Sequence, residues 1–125
     1  MTQLEFIEQI IKEKEAVILD ANDKIWSYAE LPYEETRSSA LLCSILESEG
    51  FTVETGVAEI PTAFVARYVV GTGKPVMGIL GEFDALATLS QKAGCTVKDP
   101  VQNGGSGHGC GHCCLGTGAL AAALA

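Results

Sequence analysis

The stretch that most constrains this chain is Gly104–Leu115, which reads Gly-Gly-Ser-Gly-His-Gly-Cys-Gly-His-Cys-Cys-Leu. It holds both histidines of the protein and three of its five cysteines, and every second residue from Gly105 to Gly111 is glycine. Glycine loses more backbone entropy on ordering than any other residue and adds no side chain to a core. Because thiolate and neutral imidazole are the usual protein ligands of zinc and its neighbours, the stretch predicts a metal-binding loop. The competing interpretation is a glycine-rich loop with incidental thiols.

Length, charge and cysteine usage exclude several classes of protein. The chain has 125 residues, 47% of them hydrophobic, which suffices for one domain with a core. Its net charge of -8 argues against nucleic acid or a membrane surface as partner, because both are anionic. No apolar run approaches the roughly 20 residues of a membrane helix, and the N-terminus lacks the pattern of a signal peptide. The cysteines are clustered and odd in number, unlike a disulfide scaffold, so we expect a reducing, cytoplasmic setting.

The first half of the sequence predicts two helices. A capping-box pattern begins at Thr2, and apolar residues then recur at helical spacing as far as about Tyr28. A Leu-Pro pair breaks this pattern, and a second helix is predicted over Tyr33–Glu49. Gly50 is well suited to end that helix.

After the second helix the apolar period changes to two. Phe51–Thr55 and Ala63–Val70 are predicted strands, and Val70–Pro75 is a predicted turn. Val76–Leu80 is continuously apolar, which is typical of a strand covered on both faces, and a further helix is predicted from Leu115. Together these elements predict an α/β fold with two helices, a small mixed sheet and a further helix.

Two carboxylates, Glu82 and Asp84, directly follow the apolar run Val76–Leu80. Open α/β sheets place their sites just beyond the carboxyl ends of such strands. Asp84 could therefore bind a metal, bridge two ions or orient an imidazole. The alternative is that Asp84 caps a neighbouring turn.

Cys110 and His112 are the leading candidates for metal ligands. They lie two residues apart, so their side chains converge on one ion only if the backbone turns there, and the flanking glycines make such a turn accessible. The N-terminus of the following helix favours Cys110 as thiolate. Two ligands remain too few, since a structural zinc needs four and a catalytic zinc about three. The two adjacent cysteines that follow could join, although neighbouring cysteines reach one ion only with strain.

The Gly107–His112 motif, followed by a Leu-Gly-x-Gly-Ala helix, resembles the metal motif of the M20 family of metallopeptidases and amidohydrolases. Gly81–Leu86 resembles the Gly-Glu-Tyr-Asp-Ala-Leu segment of the branch that contains aminobenzoyl-glutamate hydrolase subunits. Leu31–Glu35 and Ile60–Ala66 also fit that branch. The likeness therefore extends over nearly the whole chain.

This resemblance implies a two-metal hydrolase, with zinc or manganese, that cleaves amide bonds of N-acyl amino acids or small peptides. It implies that Cys110 and His112 are metal ligands and that Asp84 is a catalytic carboxylate near the metals, which supports a ligand or the bridging water. The position after His112 is usually Asp or Asn in the family, whereas here it is Cys113. Family members are several times longer, so we expect residues 1–125 to be the N-terminal part of a catalytic domain. The general base, the other ligands and the lid domain, which usually dimerises, would lie beyond it.

Two other interpretations stay open. The chain could be a small Cys/His metal-binding or interaction module, or a thiol enzyme with Cys110 as nucleophile and His108 or His112 as base. As a hydrolase fragment it would be inactive alone, because no candidate for the general base stands at a matching position. The helix-forming Gly118–Ala125 stretch, which has no C-cap, also indicates a fragment of a longer protein.

Overall fold

The computed structural model describes residues 1–72 and 74–125; Gly73, within the predicted Val70–Pro75 turn, lies outside the described residues. The main elements are α1 (Gln3–Tyr28), α2 (Thr36–Ser48), β1 (Thr52–Thr55), β2 (Phe64–Arg67) and α3 (His112–Leu124), with a short 3-10 turn at Val57–Glu59. β1 and β2 form an antiparallel pair in which Thr52 lies opposite Arg67. The predicted α/β class is confirmed. Within the described ranges, no helix has both the length and the apolar character needed to cross a membrane.

The predicted start of α1 is confirmed. The Thr2 hydroxyl accepts the Glu5 backbone N–H at 3.2 Å, and the Glu5 carboxylate accepts the Thr2 N–H at 2.7 Å, which completes the capping box. A helix of 26 residues is about 39 Å long, twice the length of α2 or α3. Its first two turns are exposed, and further along the Lys14 ammonium reaches the Glu49 carboxylate at 2.7 Å. Its fully buried positions, Ala21 and Ile25, lie near its C-terminal end.

Helix α2 begins at Thr36, three residues later than predicted. Tyr33 has a φ of 68°, a left-handed conformation that cannot begin a right-handed helix. The Glu30 carboxylate accepts the backbone N–H groups of Arg37 and Ser38, each at 2.9 Å, and the Ser38 hydroxyl at 2.7 Å. A side chain from the connecting loop thus satisfies the free N–H groups of the first turn.

We expect Glu30→Ala to lower the free energy of unfolding by about 1–2 kcal/mol at pH 7, the usual cost of losing a helix cap. Burial favours a higher pKa for Glu30, but hydrogen bonds from Arg37, Ser38 and Thr36 outweigh it and hold that pKa below the usual value for glutamate. A pKa lowered by folding stabilises the protein above the unfolded value, and this contribution is lost as pH falls through the folded value. The difference from wild type should therefore shrink below about pH 4.3. Urea unfolding between pH 7 and pH 3.5 measures it, with the exposed Glu34→Ala as control; a constant difference would contradict this role.

The predicted third strand is wrong, and with it the mixed character of the sheet. Val76–Leu80 has no regular structure, and its end residues Val76 and Leu80 are 91% and 93% exposed. A strand forms only where a neighbouring strand accepts its hydrogen bonds, and among the described residues the sheet consists of β1 and β2 alone. An apolar run indicates that a segment tends to be buried, but it does not show whether a neighbouring strand is available to pair with it.

The core lies where α1, α2 and α3 meet. Residues 81–84, which follow the apolar run Val76–Leu80, pack against this core. Its buried members are Ile25, Leu42, Leu46, Cys113 and Leu120. Two glycines allow residues 81–84 to pack directly on α3. A Cβ on Gly81 would lie 2.7 Å from the Ala119 Cβ, and one on Gly116 would lie 2.9 Å from the Phe83 Cβ. This close approach places the carboxylates beside the first turn of α3.

Candidate metal centre

Two loops carry the residues of the candidate site, and a short antiparallel bridge joins them. The Leu86 N–H donates to the Gly107 carbonyl at 3.0 Å, and the Gly107 N–H donates back to the Leu86 carbonyl at 2.9 Å. Asp84 lies two residues before this bridge, and His112 follows it as the first residue of α3. The bridge thus brings together two parts of the sequence that are 28 residues apart.

His112 lies between two carboxylates. Its Nδ1 is 2.8 Å from the Asp84 Oδ1, and its Nε2 is 3.3 Å from the Glu82 Oε2. The side chains of His112 and Asp84 are 19% and 20% exposed, whereas that of Glu82 is 69% exposed. The pair is therefore half-buried against the protein, and Glu82 faces solvent.

The donor set of these groups is compatible with a cation at the site. An ionised carboxylate only accepts, so the Nδ1 of His112 must donate to Asp84. In neutral imidazole the Nε2 then carries a lone pair, and the nearest carboxylate to Nε2 is that of Glu82. These two atoms are 3.3 Å apart, and a proton on Nε2 or a metal ion bound by both groups would make this approach favourable. The chemistry of this donor set fits a divalent metal, and a carboxylate that fixes the tautomer of a ligating histidine is the common arrangement around zinc.

Of the residues predicted for the site, the structure brings Asp84 and His112 together. Oxygen and nitrogen atoms of Glu82, Asp84 and His112 all lie within 4.8 Å of one another. The sequence analysis missed Glu82 as a candidate ligand. The spacing of Glu82 and Asp84 could have identified it, because residues i and i+2 of an extended segment project to the same side. The intervening Phe83 projects the other way, against the core.

Cys110 is exposed and is not part of this three-residue cluster, so its role as a ligand stays a prediction. The turn expected around it is present, because Gly111 caps α3 with a φ of 80°. Helix α3 begins at His112 rather than at the predicted Leu115. Cys113 thereby becomes a core residue of the first helical turn, and burial, followed by the adjacent Cys114 thiol, raises its pKa to about 11.

The second histidine, His108, is bound to helix α1. Its Nε2 lies 3.0 Å from the Ile25 carbonyl oxygen, and its buried Nδ1 has no hydrogen-bond partner in the described part of the chain. Burial lowers the pKa of His108, although the Ile25 carbonyl and Asp84 oppose this effect. Within residues 1–72 and 74–125, no hydrogen bond joins Cys110 to either histidine. This geometry does not favour a thiol enzyme with Cys110 as nucleophile.

Known proteins related to this chain are hydrolases by name. The chain is 50% identical over 120 residues, 96% of its length, to a subunit of the p-aminobenzoyl-glutamate hydrolase of Escherichia coli K12. It is 30% identical over 112 residues, 90% of its length, to thermostable carboxypeptidase 1 of Saccharolobus solfataricus, and the same holds for thermostable carboxypeptidase 2. This chain is a homologue of hydrolases. No protein-family model matches it.

The resemblance predicted from the two motifs is thereby confirmed, since it includes the aminobenzoyl-glutamate hydrolases. The chain spans about a quarter of the length of these relatives, 24% of the first and 28% of each carboxypeptidase. The bridged loops with Asp84 and His112 thus lie in a region that this chain shares with them.

Proposed function

We propose that this chain supplies part of the active site of a metal-dependent amidohydrolase or peptidase of the M20 type. The observation that supports the proposal most strongly is His112 held between Asp84 and Glu82, with its ring nitrogens 2.8 Å and 3.3 Å from their oxygens. The similarity to proteins named as a hydrolase subunit and a carboxypeptidase supports the proposal independently of this geometry. The substrates would be N-acyl amino acids of the aminobenzoyl-glutamate type, or small peptides.

The metal would be zinc or manganese, because imidazole and carboxylate ligands suit both ions. His112 would bind through Nε2, with Glu82 and the Cys110 thiolate as further ligands. Additional ligands, a second ion and the general base would come from other parts of a polypeptide of the relatives' length. A cytoplasmic location and a homo-oligomeric state belong to the same proposal. The odd number and the clustering of the five cysteines, unlike a disulfide scaffold, support the reducing compartment.

When bound, such an ion polarises the scissile carbonyl and lowers the pKa of a water molecule toward neutrality. The contribution of this chain is to prepare the ligands. Asp84 holds the proton of His112 on Nδ1, which leaves the Nε2 lone pair free for the ion. The exposed Glu82 adds a negative charge on the solvent side, where a substrate would enter. Asp84 would thus act beside the metal, as the resemblance implies.

The test uses a polypeptide of the relatives' full length that carries this sequence. We expect it to hydrolyse p-aminobenzoyl-glutamate or an N-acyl amino acid, to lose this activity on chelation and to regain it with Zn²⁺ or Mn²⁺. Cys110→Ser should lower metal content and hydrolysis together, and Cys95→Ser, in the loop, serves as the matched control. Unchanged metal content in Cys110→Ser would remove Cys110 from the ligand set.

The isolated 125-residue chain separates the remaining alternatives. We expect it to bind one ion weakly and to be inactive, because few of the ligands are present. A tightly held tetrahedral zinc would instead favour a metal-binding module, and the absence of any bound ion would contradict the proposed site. Equilibrium dialysis followed by metal analysis distinguishes these outcomes.

A further inference from the structure

Both loops of the candidate site are anchored to the C-terminal end of α1. Three hydrogen bonds run from the loops to carbonyl groups at or just beyond that end. The Ala85 N–H donates to the Glu30 carbonyl at 2.7 Å, and the Ser106 hydroxyl donates to the Ala29 carbonyl. The His108 Nε2–H donates to the Ile25 carbonyl at 3.0 Å. The last carbonyls of a helix lack a full set of partners within the helix, so these donors also satisfy groups that would otherwise be costly to bury.

His108 makes the anchor nearest to the metal-binding residues. The Ile25 carbonyl can only accept, so Nε2 of His108 carries the proton. The Ile25 side chain is completely buried in the core, and the Ile25 carbonyl already accepts the Ala29 N–H at 3.2 Å. The position of this carbonyl is therefore held by the helix and the core. The residues on either side of His108 are glycines, which do not stiffen the chain. The Ser106 hydroxyl and the Leu86–Gly107 bridge hold the earlier part of the loop, and the side chain of His108 adds the last side-chain anchor before His112, four residues further along the chain.

We propose that His108 is a positioning residue of the metal centre. Its hydrogen bond to the Ile25 carbonyl fixes the glycine-rich loop on helix α1, and this fixes where His112 meets Asp84. His108 does not belong to the ligand cluster of Glu82, Asp84 and His112, so it acts through His112 rather than on the ion. This inference depends on the proposed function only where its test measures metal binding.

Matched substitutions separate the hydrogen bond from simple packing. His108→Gln keeps an N–H donor at a similar reach, whereas His108→Leu keeps the bulk and removes the donor. In the 125-residue chain, we expect His108→Leu to weaken Zn²⁺ binding about 10-fold, the lower end of the effect of losing a direct partner of a ligand, because His108 acts on His112 only through the loop. His108→Gln should recover most of the affinity. Equal losses in the two variants would overturn the proposal, since packing alone would then explain them.

A second readout needs no metal. In ¹⁵N-histidine NMR of the metal-free chain, we expect His112 to carry its proton on Nδ1, hydrogen-bonded to Asp84. This signature should be weakened in His108→Leu and restored in His108→Gln. If His108→Leu fails to fold, the shorter His108→Asn, whose amide cannot reach Ile25, takes its place. An unchanged signature in the donor-free variant would overturn the positioning role, whereas absence of Zn²⁺ binding by wild type would count against the proposed function alone.

Discussion

Gly107→Ala is expected to prevent the two site loops from joining and to lower the free energy of unfolding by about 3 kcal/mol, the upper end of the usual cost of overpacking. A Cβ at this position would lie 2.2 Å from the Leu89 carbonyl oxygen, 2.6 Å from its carbon and 2.9 Å from the Ser90 Cα. All three are backbone atoms, so no side-chain rotation can relieve the contact. Relief requires the Leu89–Ser90 segment to move or the bridge between Leu86 and Gly107 to open.

Chemical unfolding and metal binding test this expectation together. Gly118→Ala is the matched control, because a Cβ there would meet no atom within 4 Å and the position is inside α3. Alanine is favoured over glycine in a helix by about 0.8–1 kcal/mol, so the control should stabilise the chain. We expect Gly107→Ala to lose Zn²⁺ binding as well as stability. A Gly107→Ala variant as stable as wild type would show that the folded state does not depend on the close packing of Gly107 against the Leu89–Ser90 backbone.

His112→Ala is expected to lower the Zn²⁺ affinity of the chain at least about 100-fold, or roughly 2.8 kcal/mol. The substitution removes the nitrogen ligand and leaves the Asp84 and Glu82 carboxylates without the group between them. Asp84→Asn should cost less, about 10- to 100-fold, because it keeps the ligand and disturbs only its tautomer and orientation. His112→Ala should therefore be the more severe variant.

Isothermal titration with Zn²⁺ measures this order, and circular dichroism checks that each variant is folded. Glu15→Gln, an exposed carboxylate on α1, controls for the loss of one negative charge from an acidic chain. We expect the control to bind Zn²⁺ as wild type does. Full affinity in His112→Ala would show that the ion binds elsewhere and would contradict the candidate site.

Features that depend on neighbouring residues could be predicted from the sequence. The capping box at Thr2 and the end of α1 need only contacts within a few residues, and both were predicted correctly. The start of α2 was predicted too early, because Tyr33 adopts a left-handed conformation and the capping carboxylate comes from Glu30. Val76–Leu80 was predicted as a strand, yet strand formation depends on a partner that periodicity does not reveal.

The sequence by itself determined the chemical types of the site and their approximate place, because residue types and motif spacing are local properties. It placed Asp84 after an apolar run and His112 in a glycine-rich turn before a helix. Only the tertiary structure decided that Glu82 faces the free nitrogen of His112 and that His108 belongs to helix α1. These contacts join residues 30 and 83 positions apart in the chain, and they exist because the end of α1 and the Leu86–Gly107 bridge hold the two loops together.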